Sequence, residues 1–191
     1  MKISIEDFTG ECSCGQTHEL AVNDVILEEG ALQKIPQILK QEPYDAYHHL
    51  AMVCDGHRYE AAASVDGYVS TVAAMSWYGF KRSMIAKSPI LVIADSRVIA
   101  EAPMRLTASG VGDLLGKNTA LADWKITHIL NGEHICRRIC DMEYEALNNL
   151  KKSLPGLVNG EIAAYEELMY GLLLSGLAMQ MTGHSRPASG A

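Results

Sequence analysis

The stretch SGVGDLLGKNTALADW, residues 109–124, decides how the second half of the chain is expected to fold. We predict that its Gly-Val-Gly segment forms a turn and that Asp113 opens a helix behind it, within a helical region of about 109–130. Asp113 stands four residues before Lys117, which is the order of an ion pair that stabilises a helix by roughly 0.2–0.5 kcal/mol. A helix cap and a metal ligand are both open roles for this carboxylate.

The chain that follows Pro103 has helical patterning throughout. Two further helices are predicted at about 134–152 and 160–182, separated by a turn in NLKKSLPGLVNG, residues 149–160. The last helix contains the apolar run 168–181, which is shorter than the roughly 18–20 residues that span a bilayer. We therefore expect a helix that is buried on nearly all sides and no membrane span.

The chain before Pro103 has mixed character. Strand-like fragments occupy residues 1–30, helical spacing covers 31–42, and short apolar strands are predicted at 50–55 and 89–95. The segment 65–82 is predicted to be a helix with Ser64 as its N-cap. The expected fold class is α+β and predominantly helical.

The composition and net charge of the chain limit the classes of function that it can have. The chain has 191 residues, of which 48% are hydrophobic and 20% charged, as in a globular protein. Its net charge of −7 argues against a nucleic-acid partner and leaves a small phosphorylated molecule open. The five cysteines are an odd number, and no secretory signal is visible at the N-terminus, so reduced thiols and a cytoplasmic location are expected.

Two groups of residues that contain cysteines are candidate metal ligands. Cys12, Cys14 and His18 form a C-x-C-x3-H pattern whose donors suit zinc. Residues one apart on a strand point to opposite faces, however, so a hairpin without metal is the preferred interpretation. Cys136 and Cys140 lie one helical turn apart, with no partner pair evident in the sequence.

Asp66 and Ser70 are also candidate site residues. They are four residues apart, so a helix would bring both to one face. An aspartate near a helix N-terminus is also favoured by the helix dipole, and capping is the alternative role.

Three long motifs resemble one enzyme family. They are SVDGYVS at 64–70, APMRLTASGVGDLLGKNTALADWKI at 102–126 and LLLSGLAMQMTGHSRPASG at 172–190. These motifs look like the glycerol-1-phosphate dehydrogenases of the iron-containing alcohol dehydrogenase and dehydroquinate synthase-like superfamily. The N-terminal ECSCGQTH at 11–18 resembles the bacterial branch. The resemblance implies a Rossmann-like cofactor domain, of which residues 1–62 are a remnant, and a helical metal-binding domain, residues 63–191.

The resemblance also implies a reaction and its residues. The family reduces dihydroxyacetone phosphate to sn-glycerol 1-phosphate with NAD(H) or NADP(H) and a divalent metal, either zinc or nickel. Asp113 matches the catalytic, metal-binding aspartate that also contacts substrate. Asp66 matches a substrate-binding aspartate, and Ser70 matches a cofactor-binding serine.

The sequence also departs from the family pattern. Between residues 60 and 63 the family carries a glycine-rich cofactor segment, and after residue 190 it carries a stretch with further metal-binding histidines. We therefore expect an internally deleted and C-terminally truncated chain that is inactive in isolation and serves at most as a helical interaction module. Its apolar helix at 168–181 is expected to be exposed and to promote homo-oligomers.

Overall fold

The computed structural model of the chain describes residues 2–47 and 62–189. The strands are β1 Lys2–Ile3, β2 Gly10–Glu11, β3 Thr17–His18, β4 Asp24–Glu28, β5 Val72–Trp77, β6 Phe80–Ile85 and β7 Leu91–Asp95. The helices are α1 Ile35–Ile38, α2 Ser96–Ala100, α3 Met104–Asn131, α4 Arg137–Asn159, α5 Ile162–Thr182 and α6 Arg186–Ser189. The predicted class, α+β and predominantly helical, is confirmed. The predicted strand at 50–55 lies outside the described residues.

A three-stranded sheet has β4 at its centre, between β1 and β7. β4 pairs antiparallel with β1 and parallel with β7, in a register that runs from Asp24 opposite Leu91 to Glu28 opposite Asp95. The predicted strand at 89–95 is thus confirmed as β7. The sheet takes strands from both sides of the predicted division at residue 62, and that division stays a prediction.

The three long helices confirm the predicted ones, with shifted ends. α4 continues to Asn159 through Pro155, where a turn was predicted, and ends only at Gly160, whose φ is +75°. Gly156, which follows Pro155, allows α5 to approach α4 closely. A Cβ on Gly156 would lie 2.8 Å from the Cβ of Ala164 at the start of α5.

α5 lies in the centre of the helical layer. Its leucines are fully buried, and Leu114 of α3 and Ala146 of α4 both reach its Gly171. The expectation that the apolar run 168–181 would be exposed is therefore wrong. Among the described residues, no helix is both long and apolar enough to cross a membrane.

The predicted helix at 65–82 is also wrong. A short 3-10 turn spans Gly67–Val69, and β5 and β6 then form an antiparallel hairpin that closes with Trp77 opposite Phe80. The two turn residues, Tyr78 and Gly79, both have positive φ, 48° and 80°. That conformation favours a two-residue hairpin turn, and the β-branched and aromatic residues beside it suit strands.

Candidate active site

Asp113 lies inside α3 and not at its start. The helix begins at Met104, directly after Pro103, so the predicted turn at 110–112 is helical and the cap role of Asp113 is wrong. Proline fixes its own backbone and favours an extended conformation before it, which explains why the helix starts there. The two glycines before Asp113 are accommodated within the helix.

Lys117 joins two of the predicted site residues. Its side chain is 2% exposed, and its Nζ donates to Asp66 Oδ2 at 2.7 Å and lies 3.5 Å from Asp113 Oδ1. The predicted pair between Asp113 and Lys117 therefore forms, with Lys117 buried and Asp113 partly exposed. Ser175 on α5 adds a hydrogen bond from its hydroxyl to Asp66 Oδ2 at 3.0 Å.

Two glycines allow the segment that carries Asp66 to lie directly on helix backbones. A Cβ on Gly110 would lie 2.0 Å from the backbone oxygen of Ala63, and one on Gly176 would lie 2.7 Å from the backbone oxygen of Asp66. Because neither glycine has a side chain, residues 62–70 approach both α3 and α5. Asp66 thereby reaches Lys117 from a separate part of the chain.

Ser70 takes a different position from the one predicted. It ends the 3-10 turn with extended backbone, and its N–H donates to the backbone oxygen of Gly67 at 3.1 Å. The shared helix face for Asp66 and Ser70 is therefore wrong.

Glu143 on α4 is a buried acid that the sequence analysis missed. It is 0% exposed, and neither carboxyl oxygen has a hydrogen-bond partner among the described residues. Burial raises its pKa to about 8, so the side chain is protonated at neutral pH. The burial of Glu143 could have been predicted from its position, because it falls on the apolar stripe of α4 with Ile139, Ala146 and Leu147.

These five residues form what we call the acid–lysine cluster: Asp66, Asp113, Lys117, Glu143 and Ser175. Within it, the pKa of Asp113 is raised, first by burial and then by the charge of Asp66, while the charge of Lys117 opposes both. Asp113 Oδ2 is buried without a hydrogen-bond partner in the described part of the chain. Lys117 and Ser175 both donate to one oxygen of Asp66, Oδ2.

The acid–lysine cluster does not make a complete metal site. Glu143 is protonated, and two aspartates that both contact Lys117 do not by themselves hold a divalent ion tightly. His184 packs edge-on against Trp124, with ring centroids 5.8 Å apart. Within residues 2–47 and 62–189, the one group of three or more metal-ligating side chains lies elsewhere, around Cys12.

That second group contains the predicted C-x-C-x3-H residues. Cys12, Cys14 and His18 come together with Cys136. The hairpin prediction is confirmed, because β2 pairs with β3. The prediction that Cys12 and Cys14 point to opposite faces is wrong, because both lie in the connecting turn and not on a strand.

Comparison with known proteins relates the chain to dehydrogenases. Residues 58–103 match the family model described as iron-containing alcohol dehydrogenase. A glycerol-1-phosphate dehydrogenase (NAD(P)+) of Bacillus licheniformis is 40% identical over 129 residues, which cover 68% of this chain and 32% of that protein.

Two further relatives carry the same name. The one from Geobacillus thermodenitrificans is 33% identical over 184 residues, covering 88% of this chain and 45% of its own length. The one from Pyrococcus furiosus is 35% identical over 133 residues, covering 70% and 38%. The chain thus spans from about a third to just under a half of the length of these curated relatives. One segment of the chain therefore matches the iron-containing alcohol dehydrogenase family, and most of the chain is similar to part of the glycerol-1-phosphate dehydrogenases.

Proposed function

We propose that this chain carries part of the active site of a glycerol-1-phosphate dehydrogenase-like oxidoreductase. The reaction is the reduction of dihydroxyacetone phosphate to sn-glycerol 1-phosphate by NADH or NADPH, with a divalent metal, zinc or nickel. The observation that carries the proposal is the buried contact between Asp66, Lys117 and Asp113. It unites two motifs that are separate in the sequence and resemble this family. The names of the relatives support the same reaction class.

Each predicted residue has a role in this proposal. Asp113 is the catalytic and metal-binding residue that also contacts substrate, Asp66 binds substrate, and Ser70 contacts the cofactor. A divalent metal, when bound, polarises the carbonyl of the substrate and stabilises the developing alkoxide. Lys117 supplies a buried positive charge beside both carboxylates and holds Asp66 in place.

A second candidate is an inactive helical interaction module. Two observations favour it. The acid–lysine cluster does not make a complete metal site, and the C-terminal end of α3 exposes Ile126, Ile129 and Leu130, at 52%, 78% and 75% of their surface. Exposed apolar residues that lie together are typical of a protein contact.

The two candidates make opposite predictions for one assay. Oxidation of NADH and NADPH is followed with dihydroxyacetone phosphate and with added zinc or nickel. The dehydrogenase proposal expects metal-dependent turnover that Asp113→Asn abolishes. Asp123→Asn, which changes an exposed aspartate on the same helix, is the matched control and should keep the turnover. Absence of turnover with either metal would contradict activity of this chain and favour the interaction module.

A further inference from the structure

Three sulfur atoms and one imidazole nitrogen converge at the N-terminal end of α4. Cys12 Sγ lies 3.7 Å from Cys136 Sγ, Cys14 Sγ lies 3.6 Å from His18 Nε2, and Cys136 Sγ lies 3.5 Å from the same nitrogen. The four ligand atoms all lie within 4.8 Å of one another. We call these residues the cysteine–histidine cluster.

These three distances fit a tetrahedron around zinc. With Zn–S bonds of about 2.3 Å and Zn–N bonds of about 2.0–2.1 Å, tetrahedral angles place two sulfurs about 3.8 Å apart and a sulfur and a nitrogen about 3.5 Å apart. The observed separations of 3.7, 3.6 and 3.5 Å agree with both values. A disulfide between Cys12 and Cys136 would instead need sulfurs about 2.05 Å apart.

The orientation of the histidine supports a metal ligand. His18 Nδ1 lies 2.9 Å from the backbone oxygen of Met181. A carbonyl can only accept a hydrogen bond, so Nδ1 carries the proton and the lone pair of Nε2 points toward the sulfurs. A backbone carbonyl on the other ring nitrogen is the usual way in which a protein orients a metal-binding histidine.

The ligands of the cysteine–histidine cluster come from two separate parts of the chain. Cys12 and Cys14 lie in a tight turn, where the N–H of Gly15 donates to the backbone oxygen of Cys12 at 2.9 Å and that of Cys12 donates to Gln16 at 3.0 Å. Gly15 has a φ of +86°, which suits glycine. Cys136 comes from far along the chain, at the N-cap of α4.

A network of thiol hydrogen bonds is the alternative explanation. It accounts for the cluster less well, because Nε2 has one lone pair and can accept from only one thiol. Two sulfurs nevertheless lie at nearly equal distances from it, 3.6 and 3.5 Å, and His18 and Cys136 are buried, at 2% and 1% exposed. Three sulfurs and one imidazole nitrogen around a common centre are a ligand set that suits zinc.

We propose that Cys12, Cys14, His18 and Cys136 bind one zinc ion in a closed, tetrahedral, structural site. All four positions are taken by protein ligands, which is typical of zinc that stabilises a fold rather than one that activates a substrate. Asp113 is not among these ligands. The site therefore differs from the metal site that the family resemblance implies.

The test starts with the unmodified chain. After purification under reducing conditions, elemental analysis should find one tightly held zinc ion per chain. Replacement by cobalt should give the visible absorption of a tetrahedral thiolate complex, with intense sulfur-to-cobalt charge-transfer bands. This measurement reports the ligand set without any substitution, so it stays informative even where variants fold poorly.

Variants then assign the ligands. Cys14→Ser and Cys136→Ser should each lower zinc retention after dialysis by at least tenfold. Cys140→Ala, one turn further along α4 and outside the cluster, should retain the full content. Asp113→Asn should retain it as well, which separates this site from the proposed catalytic one.

Several outcomes would overturn the proposal. One is a chain that holds no zinc or cobalt when reduced and reconstituted. Another is a cobalt spectrum without thiolate bands, or metal that leaves with Asp113→Asn and stays in Cys136→Ser. A protein mass that is lower by two hydrogens, with a peptide map that joins Cys12 to Cys136, would show that these two residues form a disulfide instead.

Discussion

Lys117 shows how a residue that looks ordinary in sequence becomes the centre of a buried cluster. A charged ammonium group is seldom buried without partners, and here it has two carboxylates, at 2.7 and 3.5 Å. The spacing of Asp113 and Lys117 predicted their contact. Asp66, Glu143 and Ser175 could not be assigned to this cluster from sequence, because each arrives from a different element through tertiary packing.

Removing the lysine charge should destabilise the fold strongly. Lys117→Met leaves Asp66 buried without its cation, and loss of one partner of a buried ion pair typically lowers the free energy of unfolding by about 3–5 kcal/mol. Urea denaturation followed by circular dichroism measures this. Lys151→Met, which changes an exposed lysine on α4, should change the stability by less than about 0.5 kcal/mol. Similar small effects for both variants would show that the charge of Lys117 is not needed for the stability of the fold.

Glu143 should make the stability depend on pH. Its pKa is raised from 4.5 to about 8 in the folded protein, so between these values the folded state holds a proton that the unfolded state has lost. The contribution of Glu143 to the free energy of unfolding therefore falls as the pH rises through this window. Glu143→Gln removes the titration, and its stability relative to the parent chain should increase from about pH 5 to about pH 8.

Urea denaturation at several pH values in this range measures that difference. Glu145→Gln, an exposed glutamate on the same helix, is the matched control and should follow the parent chain. A stability difference between Glu143→Gln and the parent that stays constant with pH would contradict the assignment.

At the scale of elements, the contact between α3 and residues 62–70 depends on the absence of a side chain at Gly110. Gly110→Ala would place a Cβ 2.0 Å from the backbone oxygen of Ala63, so the two segments must separate. We expect a loss of about 1–3 kcal/mol in unfolding free energy. Gly112→Ala meets nothing within 4 Å and should instead stabilise the same helix by roughly 0.5–1 kcal/mol. Thermal denaturation of both variants tests the pair, and a neutral Gly110→Ala would contradict the packing.

The three long helices were easier to predict from sequence than the hairpin of β5 and β6 and the start of α3. Helical periodicity located α3, α4 and α5 because each buries one face or more in the core. The hairpin of β5 and β6 was missed because its small residues, such as Ala73 and Ala74, also suit a helix. The start of α3 was missed because glycines that admit a neighbouring segment look the same in sequence as glycines of a turn.

At the scale of the whole molecule, the cysteine–histidine cluster links the N-terminal hairpin to the helical layer. Removal of the proposed zinc with a chelator should therefore loosen that link. Each 1 kcal/mol lost lowers the Tm of a chain of this size by roughly 2–4 °C, and we expect a fall on the order of 10 °C. Calorimetry measures the shift, and added zinc should reverse it. An unchanged Tm after complete metal removal would show that the ion adds no stability.

The partners of the N-terminal segment also have a consequence for synthesis. β4 pairs with β7, Cys12 reaches Cys136, and His18 bonds the backbone of Met181, 163 residues further along. Because synthesis proceeds from the N-terminus, Cys12 and His18 are translated well before the partners that they contact at Cys136 and Met181. During that interval the thiols of Cys12 and Cys14 are exposed to oxidation, and the hairpin of β2 and β3 is among the last described segments to reach its native contacts.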